Sequence, residues 1–202
     1  MVERIHFVLF STLLLSCALL PAAADAHPHV WVDYRVSPRI DGGRLTALDE
    51  EWVFDSQFSS MLLNDSAPGW RVGGALTPAI VRHLHDHAFM NLGHYGFFTQ
   101  VWAGGKQEGF GPSRGFAATM TGDRLVYRFT LPLKPAVDPR KEPVEIGIWD
   151  TSYYVDLEPA KPSAKAVALP AESGCKATVG PDRNRPIYFG TVIPTAIRIT
   201  CP

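Results

Sequence analysis

Residues 30–36 (Val-Trp-Val-Asp-Tyr-Arg-Val) alternate apolar and polar side chains, and most are β-branched or aromatic. A period of two sends successive side chains to opposite faces, the pattern of a strand with one buried face. Asp41-Gly42-Gly43 then supplies hairpin-turn chemistry, and residues 44–54 read as the returning strand. Further strands are expected at 95–103, 115–121, 125–131, 144–149 and 152–157, with turn signals at Gly104-Gly105, Thr121-Gly122-Asp123 and 132–143. Asp55-Ser56 can cap a short helix over 57–63. Thr77-Pro78 opens a longer one, with Ile80, Val81, Leu84, Ala88 and Leu92 on one face and Gly93 as its C-cap. The expected class is α+β: a hairpin-rich antiparallel β-sheet with one or two helices packed on it.

The first 26 of the 202 residues read as a secretion signal peptide rather than as part of the fold. Arg4 precedes an apolar run from Phe7 to Leu20, Pro21 breaks it, and Ala24-Asp25-Ala26 fits the small-x-small cleavage rule. The run is too short for a spanning helix, so no membrane insertion is expected after cleavage. Leu14-Leu15-Ser16-Cys17 is lipobox-like, with a leucine that fits poorly two residues before the cysteine, which keeps lipid anchoring as an alternative. The expected location is the periplasm. Cys175 and Cys201 then remain as an even pair in an oxidising compartment and read as a disulfide, worth about 3.5 kcal/mol in the chain-entropy model. The expected division is a signal at 1–26, a domain at 27–158 and a Pro-rich C-terminal extension at 159–202 closed by that disulfide.

Without the signal the chain carries 18 basic and 18 acidic residues. That neutrality gives no footprint for nucleic acid or for a cationic membrane-binding face. There is no G-x-S-x-G, no Walker-type loop, no C-x-x-C and no mature cysteine placed as a nucleophile, so no enzymatic activity is expected. The aromatics Trp31, Trp52, Phe54, Phe97, Phe98, Trp102, Trp149, Tyr153 and Tyr154 read most simply as core.

The six mature histidines fall in two groups between 27 and 94. His27-Pro28-His29 begins the mature chain, with Asp33 downstream as a possible carboxylate ligand. An amino-terminal chelate through His29 would need a deprotonated amide at residue 28, which proline lacks, so His29 would bind by its ring. A frayed polar terminus is the plain alternative. The second group is His83, His85, His87 and His94. On a helix His83 and His87 lie four apart, and with Met90 they cover about 60° opposite the apolar stripe. His94 extends that line if the helix survives Gly93. Such an imidazole pair can hold Zn, Ni or Cu; a polar helix face that happens to carry histidines is the alternative. No Glu follows His83, so the pair is not a metalloprotease motif. Asp150, beside Tyr153-Tyr154, needs a partner if buried: a metal, an arginine or a turn.

Four segments occur in order: 26–33 (Ala-His-Pro-His-Val-Trp-Val-Asp), 52–59 (Trp-Val-Phe-Asp-Ser-Gln-Phe-Ser), 91–99 (Asn-Leu-Gly-His-Tyr-Gly-Phe-Phe-Thr) and 149–156 (Trp-Asp-Thr-Ser-Tyr-Tyr-Val-Asp). With them the chain resembles a periplasmic family, domain of unknown function 1007, described as a periplasmic component of ABC-type, nickel/cobalt-like metal transport systems. The resemblance implies a metal-handling role, His27 and His29 as ligands, Asp33, Asp55 and Asp150 as carboxylates, and a membrane metal transporter or permease as partner. The family often carries an EF-hand-like loop; here residues 64–75 hold one carboxylate and an arginine, so calcium is not expected. The expected function is a divalent transition-metal-binding carrier or transporter accessory, with Zn2+, Ni2+ or Co2+ before Cu2+. A terminal-histidine copper enzyme and a metal-free docking module are the alternatives.

Overall fold

In the computed structural model, which describes residues 28–67, 69–71 and 73–202, Val30–Asp41 (β1) and Arg44–Phe54 (β2) form the expected hairpin. The signal segment, Cys17 and His27 lie outside the described residues. Gly42 and Gly43 both take positive φ, which a two-residue turn matching strand twist requires. Val30, Val32, Tyr34 and Val36 of β1 face inward beside Leu48, Glu50, Trp52 and Phe54 of β2.

The remaining strands are Thr99–Ala103 (β3), Lys106–Phe110 (β4), Arg114–Thr121 (β5), Arg124–Val137 (β6), Val144–Ile148 (β7), Val155–Pro159 (β8), Lys176–Pro181 (β9) and Thr195–Thr200 (β10). They form one sheet in the order β8-β1-β2-β6-β4-β3-β7-β10-β9, with β5 also paired to β6. Pairing is antiparallel except between β1 and β8, where Val30 to Tyr34 run beside Val155 to Pro159. Two helices, Ser56–Ser66 (α1) and Pro78–Leu84 (α2), join the sheet in an α+β fold. Asp55 caps α1 by accepting from Phe58 N, and Thr77 caps α2 by accepting from Ile80 N, with Pro78 in the first turn. Ser59, fully buried on α1, accepts from Leu125 N and ties the helix to β6.

Several elements depart from the expected boundaries for physical reasons. The helix expected to run to Leu92 stays α-helical for seven residues, then continues as a π-helical turn, His85–Phe89, and a 3-10 segment, Met90–Phe98. A five-residue step places both Leu84 and Phe89 in the core, which 3.6-residue periodicity cannot do. The strand expected from Tyr95 begins at Thr99, because Gly96, Phe97 and Phe98 all adopt left-handed backbone angles. Strand β6 runs past Pro132, where a turn was expected, and a register shift in the facing β2 accommodates it. Strand β4, where no strand was expected, pairs through Val101↔Glu108 and Phe110↔Leu133.

The segment after Pro159 contributes β9 and β10 to the sheet, and Ile197 and Ile199 are buried in the same core as β1 and β2. The disulfide Cys175–Cys201 joins the residue before β9 to the residue after β10, beside the Lys176↔Thr200 pair. No helix among the described residues is long and apolar enough to cross a membrane. Because Ile197 is fully buried, Ile197→Ala is expected to lower the unfolding free energy by about 2–5 kcal/mol. Urea denaturation followed by circular dichroism checks it; a loss below about 0.5 kcal/mol would mean the tail does not share the core.

Candidate functional site

The four recurring segments meet at one end of the domain. His29 N donates to Tyr154 O (2.9 Å), which starts the β1–β8 pairing. Trp31 N donates to Asp55 Oδ2 (3.0 Å) and Asp55 N to Trp31 O (2.9 Å), so the N-cap of α1 also holds the start of β1. The side chains of Trp31 and Tyr154, expected in the core, are exposed. Trp149 N donates to Phe98 O (2.9 Å), joining the third segment to the fourth. Between them lies an apolar cavity of 170 Å³. Val30 comes from the first segment, Trp52, Phe54 and Phe58 from the second, Leu92 and Phe98 from the third, and Tyr154 and Val155 from the fourth.

Val30 and Ala88 both line this cavity, and each directly follows a histidine, His29 and His87. The His83 and His87 rings lie 4.3 Å apart between centroids on the exposed side, at the spacing expected from their sequence positions. His85 turns away toward the aromatic layer, 5.3 Å from Phe116 and 5.9 Å from Phe89. Its Nδ1 lies 2.7 Å from Asp86 Oδ1, a hydrogen bond that lowers the Asp86 pKa. His94 is exposed in the 3-10 segment, and the His29 ring sits 4.7 Å from Tyr154. Among the described residues no three His, Cys, Asp or Glu side chains converge on a point that could hold a metal ion.

The carboxylates expected as ligands already have partners. Asp55 accepts from Phe58 N and Trp31 N, one oxygen each. Asp150, buried, accepts from Ser152 N, Ser152 Oγ, Tyr154 N and Val155 N, and so shapes the turn that presents Tyr154 to His29. Of the expected partners for this carboxylate, the turn is the one observed. Asp33 pairs with Arg124 (2.8 Å) on the outer face of the sheet. Four residues of extended chain, about 13 Å, separate it from His29, too far for both to reach one ion. Around Asp33 that face also carries Asp156 and Glu158, whose pKa values are raised, first by burial.

The family model described as "Protein of unknown function (DUF1007)" matches residues 12–188. The chain belongs to that family. It is 26% identical over 141 residues to an uncharacterized protein of Haemophilus influenzae, across 69% of this chain and 66% of that protein. It therefore spans just under two thirds of that relative's length. It is 30% identical over 114 residues to an "Uncharacterized 15.5 kDa protein in trpE 3'region" of Spirochaeta aurantia, across 55% of this chain and 79% of that one.

Behind the cavity this DUF1007 chain buries a carboxyl group that sequence reasoning missed. Glu50 is 2% exposed on the inner face of β2. Burial pushes its pKa up to about 8, against the opposing hydrogen bonds from Trp52 and Thr99. Trp52 Nε1 donates to Glu50 Oε2 (2.8 Å), which fixes the indole that walls the cavity. The Thr99 hydroxyl has one proton and two oxygen neighbours, Phe97 O and Glu50 Oε1, each at 2.9 Å. A neutral Glu50 resolves the conflict: its own proton goes to Thr99 Oγ1, and Thr99 donates to the carbonyl, which can only accept. The available signal was weak, because Glu50 sits in an Asp-Glu-Glu run that reads as solvated.

A folded-state pKa of about 8 against an ordinary 4.5 means that the native state keeps a proton the unfolded chain has lost between those values. This contribution to stability is complete below pH 4.5 and is lost as pH rises toward 8. The amide of Glu50→Gln reproduces the donor and acceptor of the neutral acid. The melting temperature of the wild type is therefore expected to fall between pH 5 and 8 more steeply than that of Glu50→Gln; parallel curves would show that Glu50 is ionised in the native state.

Proposed function

We propose that this protein binds a divalent transition metal, Zn2+, Ni2+ or Co2+ before Cu2+, as a periplasmic carrier or accessory of a membrane metal transporter, and that binding rather than catalysis is its activity. The observation that supports this most is the His83–His87 pair, two exposed imidazoles 4.3 Å apart. The rings lie side by side, and rotating the two side chains would bring one nitrogen from each to a single ion at the usual Zn–N bond length of about 2.0–2.1 Å. Met90 and His94, both exposed, follow the pair along the chain and are candidate further ligands, with His27 a third from the sequence alone. A site with two ligands on one exposed helix face leaves positions open for a receiving protein, which suits a carrier better than a structural site. Asp55 and Asp150 serve by holding the arm and the 149–156 turn in place. The Cys175–Cys201 disulfide fits an oxidising compartment.

Calorimetric titration of the protein beginning at His27 tests the reading. Zn2+, Ni2+ or Co2+ is expected to bind with a Kd tighter than about 100 μM, some 5.5 kcal/mol. His83→Ala/His87→Ala is expected to weaken binding at least tenfold, and lowering the pH toward 5 to weaken it further, because protons compete for the rings. Binding weaker than 100 μM, or unchanged by that double substitution and by His27→Ala/His29→Ala, would overturn it.

A further inference from the structure

We propose that the protein pairs with a second copy of itself, each copy inserting Phe189 into the open apolar pocket of the other. Phe189 is 98% exposed, more than any other large apolar side chain among the described residues. Its φ is 56°, in the left-handed region that phenylalanine rarely adopts, and Tyr188 beside it stands at 47°. Exposing an aromatic ring and straining its backbone are both unfavourable, and nothing within one copy offsets either at Phe189.

The loop that carries Phe189 is tightly built. Ile187 N donates to Val192 O (2.9 Å), Gly190 N to Ile187 O (3.0 Å) and the Thr191 hydroxyl to Tyr188 O (2.7 Å). Tyr188 N donates to Thr151 O (3.1 Å), which fastens the loop to the turn after Trp149, and the Tyr188 ring lies 5.9 Å from that of Tyr153. Ile193, also exposed, widens the apolar tip. A ring held out by a fixed loop loses little freedom when it is captured, which favours capture.

The receiving surface belongs to the same end of the domain. The turn that anchors the Phe189 loop also carries Tyr154, an exposed lining residue of the pocket formed with Val30, Trp52, Phe54, Leu62 and Leu92. No charged side chain lines that pocket, and it is open to solvent on one side. A ring still attached to its own chain needs such an opening, and a phenylalanine ring asks for no hydrogen-bond partner inside. The Trp52 indole, fixed by Glu50, and the Phe54 ring give it aromatic edges and faces to pack on. With the projecting ring and the pocket both tied to one turn, a twofold axis close to that turn lets the two insertions form together. The contact is then self-complementary and closes at two copies.

The test is sedimentation velocity of the protein beginning at His27, from about 1 μM to about 1 mM. A monomer at the low end and a dimer at the high end are expected, with a Kd of about 100 μM, as befits a small, transient interface. Phe189→Ser is expected to weaken the dimer at least tenfold without lowering the melting temperature, and Ala88→Glu, which puts a carboxylate in the pocket, to weaken it as much. An equal mixture of the two variants retains one intact ring and one intact pocket, so it is expected to associate more than either variant alone. A wild type that stays monomeric to about 1 mM, or a dimer indifferent to Phe189→Ser, would overturn the proposal without reliance on the pocket variant. A mixture no heavier than its parts would overturn the match of ring to pocket. Monomeric wild type that sediments with phosphatidylglycerol vesicles, and loses this with Phe189→Ser, would give the loop to a lipid surface and overturn the dimer.

Discussion

The sheet depends on β6 bonding along both edges. One edge pairs with β2 from Val126↔Val53 to Val137↔Leu45, while the other is shared, β5 taking the first part and β4 the last. Fourteen residues are needed because two unrelated pieces must be joined: the β1–β2–β8 layer on one side and the β3–β7–β10–β9 layer on the other. With β4 paired to both β6 and β3, hydrogen bonding is continuous from β8 to β9 and the sheet can curl around one core. The same strand carries Tyr127 and Phe129 under the helices and anchors α1 through Leu125 N and Ser59. The cavity, the Glu50–Trp52 contact and the histidine-bearing turns all rest on that one strand and its neighbours.

What could be read from the sequence is what local chemistry decides. The alternation in β1, the paired glycines at 42–43, the Asp55 and Thr77 caps and the two late cysteines each act within a few residues or through one bond type. The misread elements are those where packing overrides local preference. Phe97 and Phe98 take left-handed angles that phenylalanine rarely adopts, and the compensation comes from distant rings, Phe89 and Phe129 for Phe97 and Trp52 for Phe98. Strand β4 carries Lys, Gln, Glu and Gly, so no apolar period announces it; its place is set by the backbone groups of β3 and β6. Glu50 resembles its solvated neighbours Asp49 and Glu51, and only the register of β2 turns it inward.

For the site, spacing was informative and residue type was not. Four residues of helix do bring His83 and His87 together, despite the π turn that begins at His85. Asp55 and Asp150 look like ligands in a list of oxygen donors, yet each spends its oxygens on backbone N–H groups nearby. A carboxylate beside Ser or followed by a tight turn has that local option, and in both places the chain takes it.

Several of the costs in this fold lie close together. A neutralised glutamic acid, two left-handed phenylalanines, an unbonded tyrosine hydroxyl and an open apolar space all lie between the inner face of β2 and β6 and the 85–98 turns. The 170 Å³ pocket is open to solvent on one side, and a larger side chain at Ala88 would narrow it. Departures from packing and backbone preference that gather around one pocket are expected where something other than stability sets the choice of residue.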